Sequence, residues 1–238
     1  MTASSLLTRL NHALKDILFP LFCLICNTEG TLLCDDCLVQ VPPKGVFRCP
    51  CGNANTFQGK KCSECEGKSF LDSETALIEY QDHSPFAKLL HALKYNYIEE
   101  SLLPLQSIFH SFFVKNSFIF ENMDGIQAVP LHPRRFAERG FNQCEKIATF
   151  IHQETQLPLL HVLKRISFTQ PQVGLSHEQR QKNVHNAFVL TSSVQGKKIM
   201  LIDDVYTTGS TLQECARALK ENGATEVHGF TLARAGAE

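Results

Sequence analysis

The sequence predicts an α/β protein, a mostly parallel sheet flanked by helices, preceded by a small N-terminal zinc-ribbon domain. Three observations carry that expectation. Ile199, Met200, Leu201 and Ile202 form a continuous apolar run, as expected of a strand covered on both faces of a parallel sheet. Strand-like and helix-like segments alternate between residues 74 and 222. Eight of the ten cysteines fall between Cys23 and Cys65, ahead of that alternation. With 238 residues and 43% hydrophobic content, the chain is long enough for one full α/β domain plus something smaller. The expected division is an amphipathic helix at 1–20, a cysteine-rich zinc-ribbon domain at 21–72 and the α/β domain at 73–238.

The opening segment carries Leu6, Leu7, Leu10, Leu14, Ile17 and Leu18 at helical spacing. Arg9, Lys15 and Asp16 interrupt it, so it lacks the apolar core of a signal peptide and reads as a helix packed on the body of the protein. No apolar run approaches the roughly 18 residues a membrane span needs, and a cytoplasmic protein is expected. Clustered cysteines in such a chain point to metal and not to disulfides. Cys23-x₂-Cys26 and Cys34-x₂-Cys37 are two knuckles that together surround one tetrahedral zinc. Cys49-x-Cys51 and Cys62-x₂-Cys65 make a second set whose first knuckle is one residue shorter. Four thiolates close the coordination sphere, so such zinc is structural, and in a stretch poor in large apolar residues it supplies folding energy. Acids and bases balance at seven each between residues 9 and 72, which makes no demand for nucleic-acid binding by the ribbons alone. Cys144 and Cys215 sit on helical faces and read as core residues.

A strand is expected at 74–80, then a helix opened by Ser84-Pro85 with Phe86, Leu89, Leu90 and Leu93 on its buried face and Lys94 at its end. Leu102, Leu105, Ile108, Phe109 and Phe112 mark another helix, leading to a strand at 126–129. That strand runs out into Pro130-Leu131-His132-Pro133-Arg134-Arg135, then Glu138-Arg139-Gly140-Phe141-Asn142-Gln143, and then a helix marked by Cys144, Ile147, Ala148 and Ile151. Charge is segregated across these pieces. Residues 74–124 hold seven acids against three bases, whereas residues 130–190 hold eight bases against four acids, with five histidines among them. Arginines at a strand exit suit phosphate, which a guanidinium grips bidentately, so His132, Arg134, Arg135 and Arg139, with Lys94, are candidates for pyrophosphate or a nucleic-acid backbone. Lys164-Arg165 and the polar run holding Arg180 and Lys182 read as a mobile loop closing over a ligand, ahead of a strand at 187–190.

The strand at 199–202 ends in Asp203 and Asp204, where open α/β sheets bind ligands and where carboxylates can accept hydrogen bonds from vicinal ribose hydroxyls. Thr207, Thr208, Gly209, Ser210 and Thr211 follow, supplying hydroxyls, one flexible glycine and backbone N–H groups at a helix start, an anion site. Leu212, Cys215, Ala216 and Leu219 mark that helix and Asn222-Gly223 its stop. A nucleoside-triphosphate P-loop is disfavoured, because GxxxxGK[ST] is absent and no lysine follows the glycine.

The acidic pair followed by TTGST resembles the phosphoribosyl pyrophosphate motif of type I phosphoribosyltransferases. That resemblance assigns Asp203 and Asp204 to the ribose hydroxyls and residues 207–211 to the 5-phosphate, with Mg²⁺ accompanying the pyrophosphate. The eight-cysteine front end, LLHALKY at 89–95, PLHPRRFAERGFNQ at 130–143 and TQPQVGLSHEQRQKNV at 169–184 extend it: nearly the whole chain, in order, is similar to the ComF family of competence proteins. Membership implies a double zinc ribbon joined to a phosphoribosyltransferase-like domain, and a role in natural transformation, where internalised single-stranded DNA is handled, with a competence helicase or recombination mediator as a partner class. The sequence departs from the family at Cys49-x-Cys51, where two intervening residues are usual. Two functions stay open at this level. One is a transferase passing phosphoribose to an acceptor that no recognisable hood segment identifies; the other is a DNA-binding protein that keeps the sugar-phosphate pocket as a sensor or as a seat for a DNA end.

Overall fold

A computed structural model describes residues 20–95, 99–167 and 184–236. The expected N-terminal helix and the polar run with Arg180 and Lys182 lie outside the described residues. The chain forms two compact units, one holding the described residues up to Pro42 together with Asp82–Ile108, the other Pro43–Gln81 with Phe109–Glu238. Each cysteine quartet therefore belongs to a different unit.

In the first unit the short helix α1 (Asp35–Leu38) carries Cys37 inward. Helix α2 (Pro85–Tyr95) begins where the sequence places it: the Ser84 hydroxyl accepts from the Ala87 N–H at 3.1 Å, and Pro85 spends no amide that the helix needs. Phe86, Leu89, Leu90 and Leu93 are its buried face. Lys94 stands in its last turn. Helix α3 (Leu102–Asn116) follows and carries the chain into the second unit.

The second unit is built on a six-stranded sheet. Its strands are β1 (Val46–Phe47), β2 (Ser73–Tyr80), β3 (Gly125–Ala128), β4 (Leu159–Leu160), β7 (Lys198–Tyr206) and β8 (Glu226–Ala235), in the order β1-β2-β8-β7-β3-β4. All neighbours run parallel except β1, which lies antiparallel on β2 with Val46 opposite Ala76. A separate antiparallel pair joins β5 (Leu163–Arg165) to β6 (Phe188–Leu190). Ile199 to Ile202 in β7 are fully buried, as a strand between two parallel neighbours requires. Phenylalanine fills the space beside the sheet: Phe109 meets Phe230 edge-on with ring centroids 5.7 Å apart, and Phe112, Phe120 and Phe150 complete the cluster.

Two of the elements that depart from the expectation are central to the fold. The segment after β3 forms helix α4 (Pro133–Arg139), and not only a strand exit. His132 caps it, Pro133 opens it and Gly140, at φ 80°, ends it, so the signals are present but spread over only two turns. Strand β8 lies at the heart of the sheet, although no element is expected beyond Asn222-Gly223; His228, Gly229, Thr231 and Arg234 break its apolar pattern. Helix α5 (Gln143–Thr155) and helix α6 (Ser210–Glu221) match their expected positions.

Asp72, just before β2, ties three elements together. Its carboxylate accepts from Lys220 Nζ at 2.6 Å, the Val227 N–H at 2.8 Å and Lys61 Nζ at 3.1 Å. Burial pushes its carboxyl up, and these three donors outweigh burial, leaving it below the usual carboxylate value of 3.8. A lowered folded-state value means that the contribution is present at neutral pH and disappears as pH falls through it. Asp72→Asn is expected to cost ~1 kcal/mol in urea unfolding at pH 7 and nothing measurable at pH values where the wild-type carboxyl is already protonated. An equal cost at both pH values would refute this.

Candidate functional site

The carboxyl end of β7 and the start of α6 bring the acidic pair and the hydroxyl turn together, as the sequence predicts. Asp203 and Asp204 are consecutive strand residues, and side chains from α5 fix both. Gln143 Nε2 donates to Asp204 Oδ2 at 3.0 Å, and the Cys144 thiol donates to Asp203 Oδ1 at 3.2 Å. That Asp203 oxygen also accepts the Asp204 N–H at 2.9 Å. Asn142 places these two donors: its side-chain oxygen caps α5 at the Cys144 N–H and its amide nitrogen holds the Val129 carbonyl, pinning the helix start to the end of β3. Arg139 extends the chain, with Nη1 donating to Gln143 Oε1 at 2.9 Å. Asn142, Gln143 and Cys144 thus hold the candidate acidic pair in place. Their signal lies in the sequence as a polar pair at a helix start, and only the fold brings them onto the acids.

The turn itself is small and hydroxyl-rich. Thr208 Oγ1 and Ser210 Oγ lie 2.8 Å apart, and Gly209 precedes α6 at φ 74°, in the left-handed region. A Cβ on Gly209 would meet the Tyr206 hydroxyl at 2.1 Å, so the turn rests directly on that phenol. The N–H groups at a helix start, beside Thr208 and Ser210, make a concave set of donors suited to a phosphate.

The basic candidates separate by surroundings. His132 Nδ1 accepts the Arg134 N–H at 3.2 Å and so caps α4. Arg134 is exposed, and Arg135 lies 3.9 Å from Glu138. Phe136 on the same short helix is 46% exposed, whereas Phe141 is buried. Lys94 belongs to the other unit. Arg165, expected in a loop, is in β5 and half-buried; burial lowers its pKa, partly offset by Cys215 and Asp203.

Both cysteine quartets have the donor set of a zinc site. Within Cys23, Cys26, Cys34 and Cys37, and within Cys49, Cys51, Cys62 and Cys65, all sulfurs lie within 4.8 Å of one another. Tetrahedral zinc with Zn–S of about 2.3 Å sets sulfurs about 3.8 Å apart, and Cys26 and Cys34 stand at 3.6 Å. The single intervening residue of Cys49-x-Cys51 therefore does not keep the second quartet from assembling. Burial, then Cys49, Cys51 and Cys62, push the Cys65 thiol far up, the opposite of what a coordinated cation does to a thiol.

The second quartet is wired to the turn. The Tyr206 hydroxyl donates to the Pro50 carbonyl at 2.6 Å, between ligands Cys49 and Cys51. The Arg234 guanidinium lies over the Tyr206 ring, 4.4 Å from its centroid, and donates to the carbonyls of Cys49 at 2.9 Å and Arg48 at 3.4 Å. Arg234 pairs with Glu74, which also accepts from the Thr231 hydroxyl; the two charges are 3% and 0% exposed. Burial pushes the Glu74 carboxyl up to about 7, against the pull of Arg234. Beside this network opens a cavity of about 620 Å³, lined by Cys51 and Cys65 of the quartet, Lys68 and Phe70 after it, and Thr208 and Ser210 of the turn.

The phosphoribosyl transferase domain family matches residues 142–238, which contain the acidic pair, the turn and three of the six strands of the sheet. DNA utilization protein YhgH of Escherichia coli K12 is 33% identical over 197 residues, covering 78% of this chain and 83% of its own length. Competence protein F of Haemophilus influenzae is 29% identical, with 85% of this chain and 90% of that protein covered. Competence protein ComFC of Streptococcus pneumoniae is 25% identical over 94% of this chain and 97% of its own.

Proposed function

This chain belongs to the ComF family of competence proteins, and from that premise we propose that it serves natural transformation by handling internalised single-stranded DNA in the cytoplasm, with a phosphoribosyl pyrophosphate pocket in its phosphoribosyltransferase domain. One observation carries the pocket: two carboxylates held in place by Gln143 and Cys144 stand one turn away from the glycine-and-hydroxyl start of α6. Ribose hydroxyls donate to Asp203 and Asp204, and the 5-phosphate accepts from Thr208, Ser210 and the N–H groups of the turn. The carboxylates of Asp203 and Asp204 are hard oxygen donors suited to Mg²⁺, which would neutralise charge on the pyrophosphate. Arg139 acts through Gln143 on Asp204, and Arg165 adds positive charge near Asp203. Each quartet would hold one structural Zn²⁺, which would tie its cysteine-rich segment together. Among the described residues no helix is long and apolar enough to cross a membrane.

The DNA-facing element is α4 with its flanks. Arg134 and Arg135 engage phosphates, and Phe136 offers an exposed ring on which an unpaired base stacks. Fluorescence anisotropy of a labelled oligonucleotide, measured from low to moderate salt, tests this. Affinity is expected to fall steeply with salt, and Arg134→Gln with Arg135→Gln to lower the log–log slope by about 1.4, since each phosphate neutralised on a single strand contributes about 0.7. A flat salt response, or an unchanged slope in the double variant, would remove α4 from the interface.

A further inference from the structure

We infer that the second cysteine quartet and the sugar-phosphate turn form one coupled unit, with Tyr206 and Arg234 as positioning residues, so that ligand at the turn and zinc at Cys49, Cys51, Cys62 and Cys65 each tighten the binding of the other. The inference rests on the phosphoribosyl pyrophosphate reading of the turn and adds to it a regulator, the metal state of the ribbon. Three consecutive carbonyls, those of Arg48, Cys49 and Pro50, are held by two side chains of the sheet, Arg234 and Tyr206. The middle residue is a metal ligand, and the third joins it to Cys51. On its other side the Tyr206 phenol carries the turn, since Gly209 packs against its hydroxyl too closely to admit even a Cβ. No long flexible segment separates metal from turn: the path is Cys49-Pro50-Cys51 backbone, hydrogen bond, phenol, glycine. Cys49, Pro50, Tyr206 and Gly209 are all buried, and the phenol that holds the Pro50 carbonyl packs against Gly209 as well.

The cavity supplies an independent argument. Cys51 and Cys65 line the same space as Thr208 and Ser210, so the turn and two of the four metal-ligand residues border one cavity. The Tyr206 bond ends on a carbonyl of the ribbon, so zinc binding, which fixes that ribbon backbone, pre-organises the turn; by linkage the ligand must then stabilise the metal-bound ribbon by the same factor. The first quartet lies in the other unit and gives an internal control.

The test uses the full zinc-loaded chain and resolves the two quartets. Alkylation of each cysteine by N-ethylmaleimide in the presence of a chelator is followed by mass spectrometry, with and without saturating phosphoribosyl pyrophosphate and Mg²⁺, while calorimetry on the same samples measures binding. The ligand is expected to slow modification of Cys49, Cys51, Cys62 and Cys65 by about fivefold or more, leaving Cys23, Cys26, Cys34 and Cys37 unchanged. Tyr206→Phe keeps the ring beneath Gly209 and loses the Pro50 bond; in it the protection should disappear while the ligand still binds, more weakly than in the wild type. Arg234→Lys, which keeps the buried charge but not the fork to Cys49 and Arg48, should lose part of it. Bound ligand that leaves all eight rates unchanged, or protects both quartets equally, overturns the coupling, as does full protection in Tyr206→Phe. Failure of the ligand to bind the wild type in calorimetry overturns the pocket reading itself, and the coupling with it.

Discussion

Replacing Asp203 and Asp204 together by asparagine is expected to abolish calorimetric binding of phosphoribosyl pyrophosphate, a loss of roughly a hundredfold or more if each charged hydrogen bond to a ribose hydroxyl is worth about 1.5 kcal/mol. Asparagine matches the shape of each acid, so Gln143 Nε2 and the Cys144 thiol keep acceptors at both positions and the fold is preserved. An unchanged thermal midpoint together with lost binding is the expected pair of results. Unchanged affinity would show that the acids serve only the internal hydrogen bonds, and the sugar-phosphate assignment of the site would fall. Gln143→Ala should give a smaller loss, because it removes one support of Asp204 and leaves the charge in place.

The second large effect concerns Glu74 and Arg234. Two charges buried to this depth are costly to separate: Arg234→Met should lower unfolding stability by about 3–5 kcal/mol, because it strands a carboxylate in the core. The pH dependence has a definite sign. Burial already raises the Glu74 carboxyl, and removal of the guanidinium raises it further. A folded-state pKa above the unfolded value makes stability fall as pH rises from the unfolded to the folded value. The variant's deficit should therefore be larger at pH 8 than at pH 5, where Glu74 is protonated in the folded protein. The double variant Glu74→Gln with Arg234→Met should recover part of the loss, since no charge is left unpaired. A denaturant series at the two pH values decides this, and a deficit independent of pH with no recovery in the double variant would mean that Arg234 acts through its bonds to Cys49 and Arg48 alone.

What the sequence reveals is local, and what it conceals is long-range. The buried strand around Met200, the helix after Gly209, the Ser84-Pro85 start of α2 and the cysteine knuckles each announce themselves within about a dozen residues, because periodicity, capping and ligand spacing are short-range properties. Nothing near Tyr206 in the sequence marks its hydroxyl as the link to Pro50, 156 positions earlier. Nothing around Arg234 announces Glu74, 160 positions away, which the parallel pairing of β2 with β8 brings against it. Asn142, Gln143 and Cys144 read as a helix start, and only the fold makes them the supports of the acidic pair. Strand β8 is hidden for a related reason: its polar residues look out of place until Ser73, Glu74 and the ribbon carbonyls are there to satisfy them.

The two-residue strand β1 has a consequence that reaches beyond the ligand site. Beyond β2 the described residues supply only this short antiparallel piece and an antiparallel bridge from Lys60 to Ser73, both from the second ribbon. Were the ribbon to lose its order, residues 73–80 would present a row of unpaired N–H and C=O groups along an open margin, the kind of template on which strands of other chains add. The small domain at the margin is then also a guard against self-association, and its loss would be felt first as precipitation and only afterwards as a change in what the protein binds.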